Sequence, residues 1–158
     1  IIVCDEPVSA LEQVDHLGLD RHVEGLQRQL GLSYIFIAHD LSVVRHISDR
    51  VAVMYLGRVV EIGNHVAIYD QPTHPYTQAL LSVVPVPDPR LRGRRDHIML
   101  TGDVPSPADP PSGCRFRTRC WKAQPGCAEH EPLLEIRQRS PHPSACHYAE
   151  VRDVMRRF

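Results

Sequence analysis

Four of the five cysteines in this 158-residue chain stand close together near its end, at Cys114, Cys120, Cys127 and Cys146. Their spacing reads Cys-x5-Cys, Cys-x6-Cys and Cys-x18-Cys. Thiols grouped in this way form disulfides, ligate a metal, or remain free. The Cys-x2–4-Cys knuckle common in tetrahedral zinc sites is missing, although His130, His142 and His147 keep zinc a candidate. Four thiolates at longer, uneven spacings suit a [4Fe–4S] cluster, each of whose irons takes one ligand from a wrapping loop. Arg115, Arg117 and Arg119 lie between the cysteines and would offset the charge of such a cluster, or serve as ordinary surface charge. Cys4 stands alone in an apolar run and reads as a small buried hydrophobe. A second group with chemical capacity is the pair Asp5-Glu6 together with His39, 33 positions after Glu6. The acids close the run IIVC, and the histidine closes SYIFIA. Acids and histidines also end strands simply because strands end at the surface.

The elements that must position these residues follow an α/β pattern. IIVC is a continuous apolar run ending in acid, as expected of a strand buried on both faces. Leu19, Val23, Leu26 and Leu30 recur on one face of a helix, weakened by Gly18 and Gly25 and closed by Gly31. SYIFIA is a second strand, and DLSVVRHI a short helix with Asp40 as its N-cap. RVAVMYL and RVVEIG predict a hairpin around Leu56-Gly57, and HPYTQALLSVV a helix with Pro75 in its first turn. Strand, helix, strand with polar residues at both strand ends implies a parallel sheet whose carboxyl edge carries the chemistry.

Seven prolines (85, 87, 89, 105, 107, 110 and 111) and Arg90, Arg92, Arg94 and Arg95 mark an extended connector with at most one short strand, at HIMLT. The arginines read as a solvated linker face. The chain therefore divides into residues 1–84, a connector at 85–111, and a cysteine-bearing tail at 112–158. That tail has too few large apolar side chains to hold itself together, so a metal closing its loops is expected to stabilise it. A net charge of -1 argues neither for nor against nucleic acid. The longest apolar runs are about five residues, against the roughly 20 of a membrane helix. No signal peptide is evident. The opening IIVCDEP, without methionine, suggests a chain cut from a longer protein or a truncated gene model.

IIVCDEPVSAL resembles the Walker B segment and D-loop of ABC-transporter ATPases, and IFIAHDLSVV resembles their H-loop. The resemblance implies that Asp5 serves Mg²⁺, usually through a water, and that Glu6 orients and deprotonates the attacking water. It implies that His39 contacts the γ-phosphate and that water. Ser9, Ala10, Leu11 and Glu12 fall on the D-loop, where the family usually has Asp in place of Glu12; the extra methylene is expected to disturb an ATP site shared across a dimer. QPTHPYTQALLSVVP, LTGDVPSPADPPSGCRFRTRC and CAEHEPLLE resemble the C-terminal extension of ATP-binding subunits of oligopeptide and dipeptide importers.

The fold so implied is the C-terminal part of a P-loop, ABC-type ATPase domain with a parallel sheet, followed by a Pro-rich connector and a small metal-stabilised tail. The resemblance further implies Mg-ATP as substrate and a second ATPase subunit, identical or related. Two membrane permease subunits and, indirectly, an extracytoplasmic peptide-binding protein would complete the machine at the cytoplasmic face of the membrane, with no role for nucleic acid. A reducing cytosol disfavours disulfides. The extension is similar to one associated with a [4Fe–4S] cluster, leaving zinc and unligated thiols as alternatives. The 158 residues contain no G-x-x-x-x-G-K-[ST] phosphate loop, no Q-loop and no LSGGQ-type signature. The chain is thus expected to carry the hydrolysis half of a site without its binding half, and to be inactive alone. The same gaps, with Glu12, support an alternative: a non-catalytic metal-binding regulatory or interaction module from a degenerate gene.

Overall fold

The computed structural model describes residues 1–6, 25–27, 29–84 and 97–154. Ser9, Ala10, Leu11 and Glu12 of the expected D-loop, and the arginines at 90–95, lie outside the described residues. Of the helix expected over 19–30, residues 25–27 and 29–30 are described and are helical, and Gly31 follows with φ 62°. That left-handed conformation suits a glycine ending a helix. The chain falls into two compact units, Ile1–Asp49 and Arg50–Phe158.

In the first unit, β1 (Ile2–Asp5) pairs in parallel with β2 (Tyr34–Ile37), with Ile2 opposite Tyr34 and Asp5 opposite Ile37. The α1 helix (Leu41–Ile47) then starts where Asp40 accepts hydrogen bonds from the Ser42 and Val43 amides at 2.8 and 3.3 Å. The parallel pair is as expected, but its cover is not. Val3, Ile35 and Ile37 are each more than half exposed, so the described residues leave these strands open where the apolar run called for burial on both faces.

The second unit is built on the antiparallel hairpin of β3 (Arg50–Tyr55) and β4 (Arg58–Asn64), with a bulge at Val53/Met54. Leu56 and Gly57 turn it with φ 44° and 75°, the positive angles of a two-residue turn matched to strand twist. Alternation along β3 sends Val51, Val53 and Tyr55 inward. The α2 helix (His65–Asp70) is capped by Asn64, whose side chain accepts from the Ala67 amide at 2.7 Å. The α3 helix (Pro75–Ser82) carries Pro75 at its start, where the missing N–H costs nothing.

The tail does not form a core of its own. Residues 143–145 run along β4, with the Ile62 amide donating to the Pro143 carbonyl at 3.1 Å and the Ala145 amide to the Val60 carbonyl at 2.8 Å. The Gln78 side chain donates to the Pro72 and Glu150 carbonyls at 3.0 and 2.9 Å, tying α3 to the chain end. Phe116 of the tail is 1% exposed and meets Tyr55 edge-on, ring centres 5.1 Å apart, with Tyr76 at 5.4 Å. The hairpin and helices supply the apolar surface that the tail's own sequence lacks. HIMLT, residues 97–101, is not a strand; the Ile98 amide ties it to α3 by donating to Ser82 Oγ at 3.1 Å. Among the described residues no helix is long and apolar enough to cross a membrane.

Candidate functional site

The parallel register of β1 and β2 brings the first group of reactive side chains together. Asp5 ends β1, and the Glu6 amide donates to the Ile37 carbonyl at 2.8 Å, extending the ladder one residue beyond the strand. Glu6 has φ 45°, a left-handed conformation that costs a non-glycine residue on the order of 1 kcal/mol or more and tends to occur at functional positions. Its Oε1 lies 3.1 Å from His39 Nδ1, across 33 positions of sequence. Both side chains are more than half exposed, at 52% for Glu6 and 76% for His39. Asp40, next in line, is taken up as the α1 cap. A carboxylate and an imidazole in contact at the carboxyl edge of parallel strands can orient a water and accept its proton.

The second group is the four clustered cysteines. All of them line one small cavity of about 10 Å³, about the space of one water molecule. His74, Pro75, Phe116, Lys122 and Tyr148 are also on its wall. Local structure delivers each thiol. The Cys114 amide donates to the Cys127 carbonyl at 2.8 Å, a 3₁₀ turn at Arg117–Arg119 leads to Cys120, and the short α4 (Gly126–Glu129) carries Cys127. Cys146 follows the segment paired with β4. Gly113 makes the first crossing feasible: its φ is 61°, and a Cβ there would stand 2.4 Å from the Cys127 carbonyl oxygen.

None of the five cysteines is in a disulfide. Burial pushes the Cys114 and Cys120 thiols up, and Cys146 up to about 12, with neighbouring cysteines of the group adding repulsion. These thiols are therefore set to stay protonated unless a cation sits among them. Four sulfurs on the wall of one cavity are the soft donors that zinc and iron–sulfur centres take. They are not drawn into a tight grip, since no three His, Cys, Asp or Glu among the described residues are grouped to hold an ion. Of the histidines that kept zinc a candidate, His147 reaches the cavity and His142 is held elsewhere. Of the arginines, Arg117 is on the wall, whereas Arg115 donates to the Leu56 carbonyl at the hairpin turn.

Residues 60–127 match the family model described as oligopeptide/dipeptide transporter, C-terminal region. The chain is 52% identical over 146 residues to the oligopeptide transport ATP-binding protein OppF of Haemophilus influenzae, covering 92% of this chain and 44% of that protein. It is 56% identical over 135 residues to OppF of Salmonella typhimurium, covering 85% and 40%. With the dipeptide transport ATP-binding protein DppF of Haemophilus influenzae it shares 54% over 140 residues, 85% and 41%. The chain belongs to the family of oligopeptide and dipeptide transport ATP-binding proteins. It spans less than half the length of these relatives.

The family's C-terminal region begins here within β4 and ends at Cys127, so three of the four cysteines fall inside the match. Its buried centre is a group that sequence reasoning passed over. Glu61, wholly buried, accepts hydrogen bonds from the Thr73 amide and hydroxyl, both at 2.7 Å, from the His74 amide at 3.2 Å and from His142 Nε2 at 2.6 Å. Burial opposes its charge most strongly, yet the hydrogen bonds from His142 and Thr73 outweigh it and hold the carboxyl below its ordinary value. Burial likewise keeps His74 neutral, its pKa lowered to about 4 against the pull of Glu61. One signal was available: an acid in the middle of the apolar run RVVEIG.

Proposed function

We propose that this chain supplies the hydrolytic edge and the cysteine-bearing C-terminal region of an ATP-binding subunit that drives oligopeptide or dipeptide import. The observation that carries this reading is the contact of Glu6 with His39 at the carboxyl edge of a parallel pair, on the two residues where the family motifs fall. In the reaction, a water attacks the γ-phosphorus of ATP, its proton passes to Glu6, and ADP leaves. His39 holds the water and the γ-phosphate. Asp5 would serve Mg²⁺ through a water, and Ser9, Ala10, Leu11 and Glu12 fall at the D-loop positions of the family motif. The phosphate cradle is not among these 158 residues, so nucleotide binding needs a G-x-x-x-x-G-K-[ST] segment supplied with them.

The working machine pairs this subunit with a second ATPase, identical or related, and with two permease subunits at the cytoplasmic face of the membrane; an extracytoplasmic peptide-binding protein delivers the peptide. In a subunit of the relatives' length, Glu6→Gln should leave ATP binding intact and reduce turnover by orders of magnitude, because only the base is lost. Hydrolysis at the parental rate would refute the assignment. The 158-residue chain alone should show no Mg²⁺-dependent ATP binding by calorimetry. A longer subunit that also binds no ATP would favour the alternative, a metal-binding interaction module.

The convergence of Cys114, Cys120, Cys127 and Cys146 on one cavity supports a structural metal centre. We assign it as a [4Fe–4S] cluster, with zinc as the alternative. Sulfurs on one tetrahedral zinc, at about 2.3 Å, must lie within about 4 Å of one another. A cluster carries its own irons and sulfides between the ligands, so its thiolates stand further apart than those on one zinc. Lining side chains must move outward to admit it. Elemental analysis of protein purified without oxygen should find about four irons and four sulfides per chain. Serine at any of the four positions should bleach the protein, and Cys4→Ser should not. One zinc and no iron would overturn the cluster; no metal would overturn both.

A further inference from the structure

We propose that Asp40 is a positioning residue for ATP hydrolysis: by capping α1 it fixes where the imidazole of His39 stands against Glu6. The inference deepens the hydrolytic reading above and rests on it. His39 belongs to a short span of chain held at both ends. Before it, Ile37 ends β2, and its carbonyl accepts from the Glu6 amide at 2.8 Å. After it, Asp40 Oδ1 accepts from the Ser42 and Val43 amides at 2.8 and 3.3 Å. The Asp40 carbonyl also accepts from the Val44 amide at 3.1 Å, which starts the helical ladder. Val43 is the buried residue of α1, so the cap grips the helix where burial anchors it. Only Ala38 and His39 lie between the two fixed ends.

The His39 ring needs such a frame. Its side chain is 76% exposed, so little packing holds it, and its place depends on the backbone that carries it. The bond that fixes Ile37 is made by Glu6 itself, so the carboxylate and the imidazole share one anchor, and Asp40 supplies the other. An ionised carboxylate only accepts, so Nδ1 donates in the 3.1 Å contact with Glu6, and Nε2 is left for the water or the phosphate. A misplacement of about 1 Å in such a group costs about 100-fold in rate. Losing the cap frees one end of the span while the Glu6–Ile37 bond still holds the other. The expected loss is therefore smaller, about tenfold.

The experiment uses a subunit of the relatives' length and compares D40A, D40N, H39A and the double variant by kcat and by KM for ATP. D40A should lower kcat about tenfold and leave KM within about twofold of the parent. D40N should turn over at close to the parental rate, because asparagine caps a helix as well as aspartate does. In the H39A background, D40A should cost less than about twofold, since a residue that acts through another has nothing left to position. Parental kcat in D40A, with only the thermal midpoint lowered, is what a purely structural cap gives, and it would overturn the inference. The same loss from D40A with and without His39 would overturn it too. So would a D40N as slow as D40A, which would make the charge rather than the cap the cause. An H39A variant at the parental rate would overturn the role of His39 in hydrolysis and this inference with it. A slow H39A beside an unaffected D40A would overturn the inference alone.

Discussion

Glu61→Gln tests whether the buried carboxylate holds the second unit together. Glutamine has the same shape and keeps one acceptor oxygen. With that oxygen in the place of Oε1, it still accepts from the Thr73 amide and hydroxyl and from His142. Its NH₂ then faces the His74 amide, 3.2 Å from Oε2 in the parent, donor against donor. One buried N–H without a partner costs about 1–3 kcal/mol, and each of the three remaining bonds weakens by about 1 kcal/mol without the charge. Against this, a buried ion no longer has to be desolvated, a gain of several kcal/mol. The direction of the pKa decides which effect wins. The carboxyl is held below its ordinary 4.5, so its surroundings favour the charged form over a neutral one. The expected net loss is about 2–3 kcal/mol, or on the order of 10 °C in Tm for a unit of about a hundred residues. Urea denaturation at pH 7, followed by the fluorescence of the single tryptophan, Trp121, reads it directly. A variant within about 0.5 kcal/mol of the parent would refute the reasoning, since desolvation would then cancel all that the hydrogen bonds return. In a double-mutant cycle with His142→Ala, the two losses should fall short of additive by about 1 kcal/mol, because Glu61→Gln already removes the charge that strengthens the His142 contact.

Acid should unfold the second unit in a defined order. His74 is neutral when folded, with a pKa of about 4, and titrates near 6.5 when unfolded; its contribution is present above 6.5 and is lost as pH falls from there towards 4. Glu61, facing His142, Thr73 and His74, contributes fully above 4.5, and that contribution is lost as pH falls through its lowered folded value. Urea midpoints measured from pH 8 to 3 should therefore stay level above about pH 6.5 and fall below it, and a profile flat down to pH 3 would refute it. Gly113→Ala should destabilise the cysteine loop by about 3 kcal/mol or more, because the new Cβ meets the Cys127 carbonyl oxygen at 2.4 Å with φ at 61°. The readout is proteolysis between residues 112 and 128, and parental resistance would refute it.

Where local chemistry was sufficient, the sequence told the structure correctly. Asp40 caps α1, Leu56-Gly57 turns the hairpin, Pro75 opens α3, and IIVC pairs in parallel with YIFI. Each depends on residues within a turn or on strand patterning, which periodicity and capping preferences record. Glu6 and His39 were legible for the same reason, since motifs on neighbouring parallel strands fix which ends meet. The cysteines could be counted and spaced, but not placed around one cavity with His74 of α3 on its wall. The Glu61–His142 contact spans 81 positions and leaves no periodic trace. The same holds for Phe116 packing on Tyr55 and for the segment 143–145 that runs along β4. Composition divided the chain at its prolines, whereas packing joins residues 50–84 to the tail, because a tail poor in apolar side chains is buried only against the hairpin and helices before it. Contacts of that range are decided by which surfaces exclude water together, and only the tertiary structure holds that information.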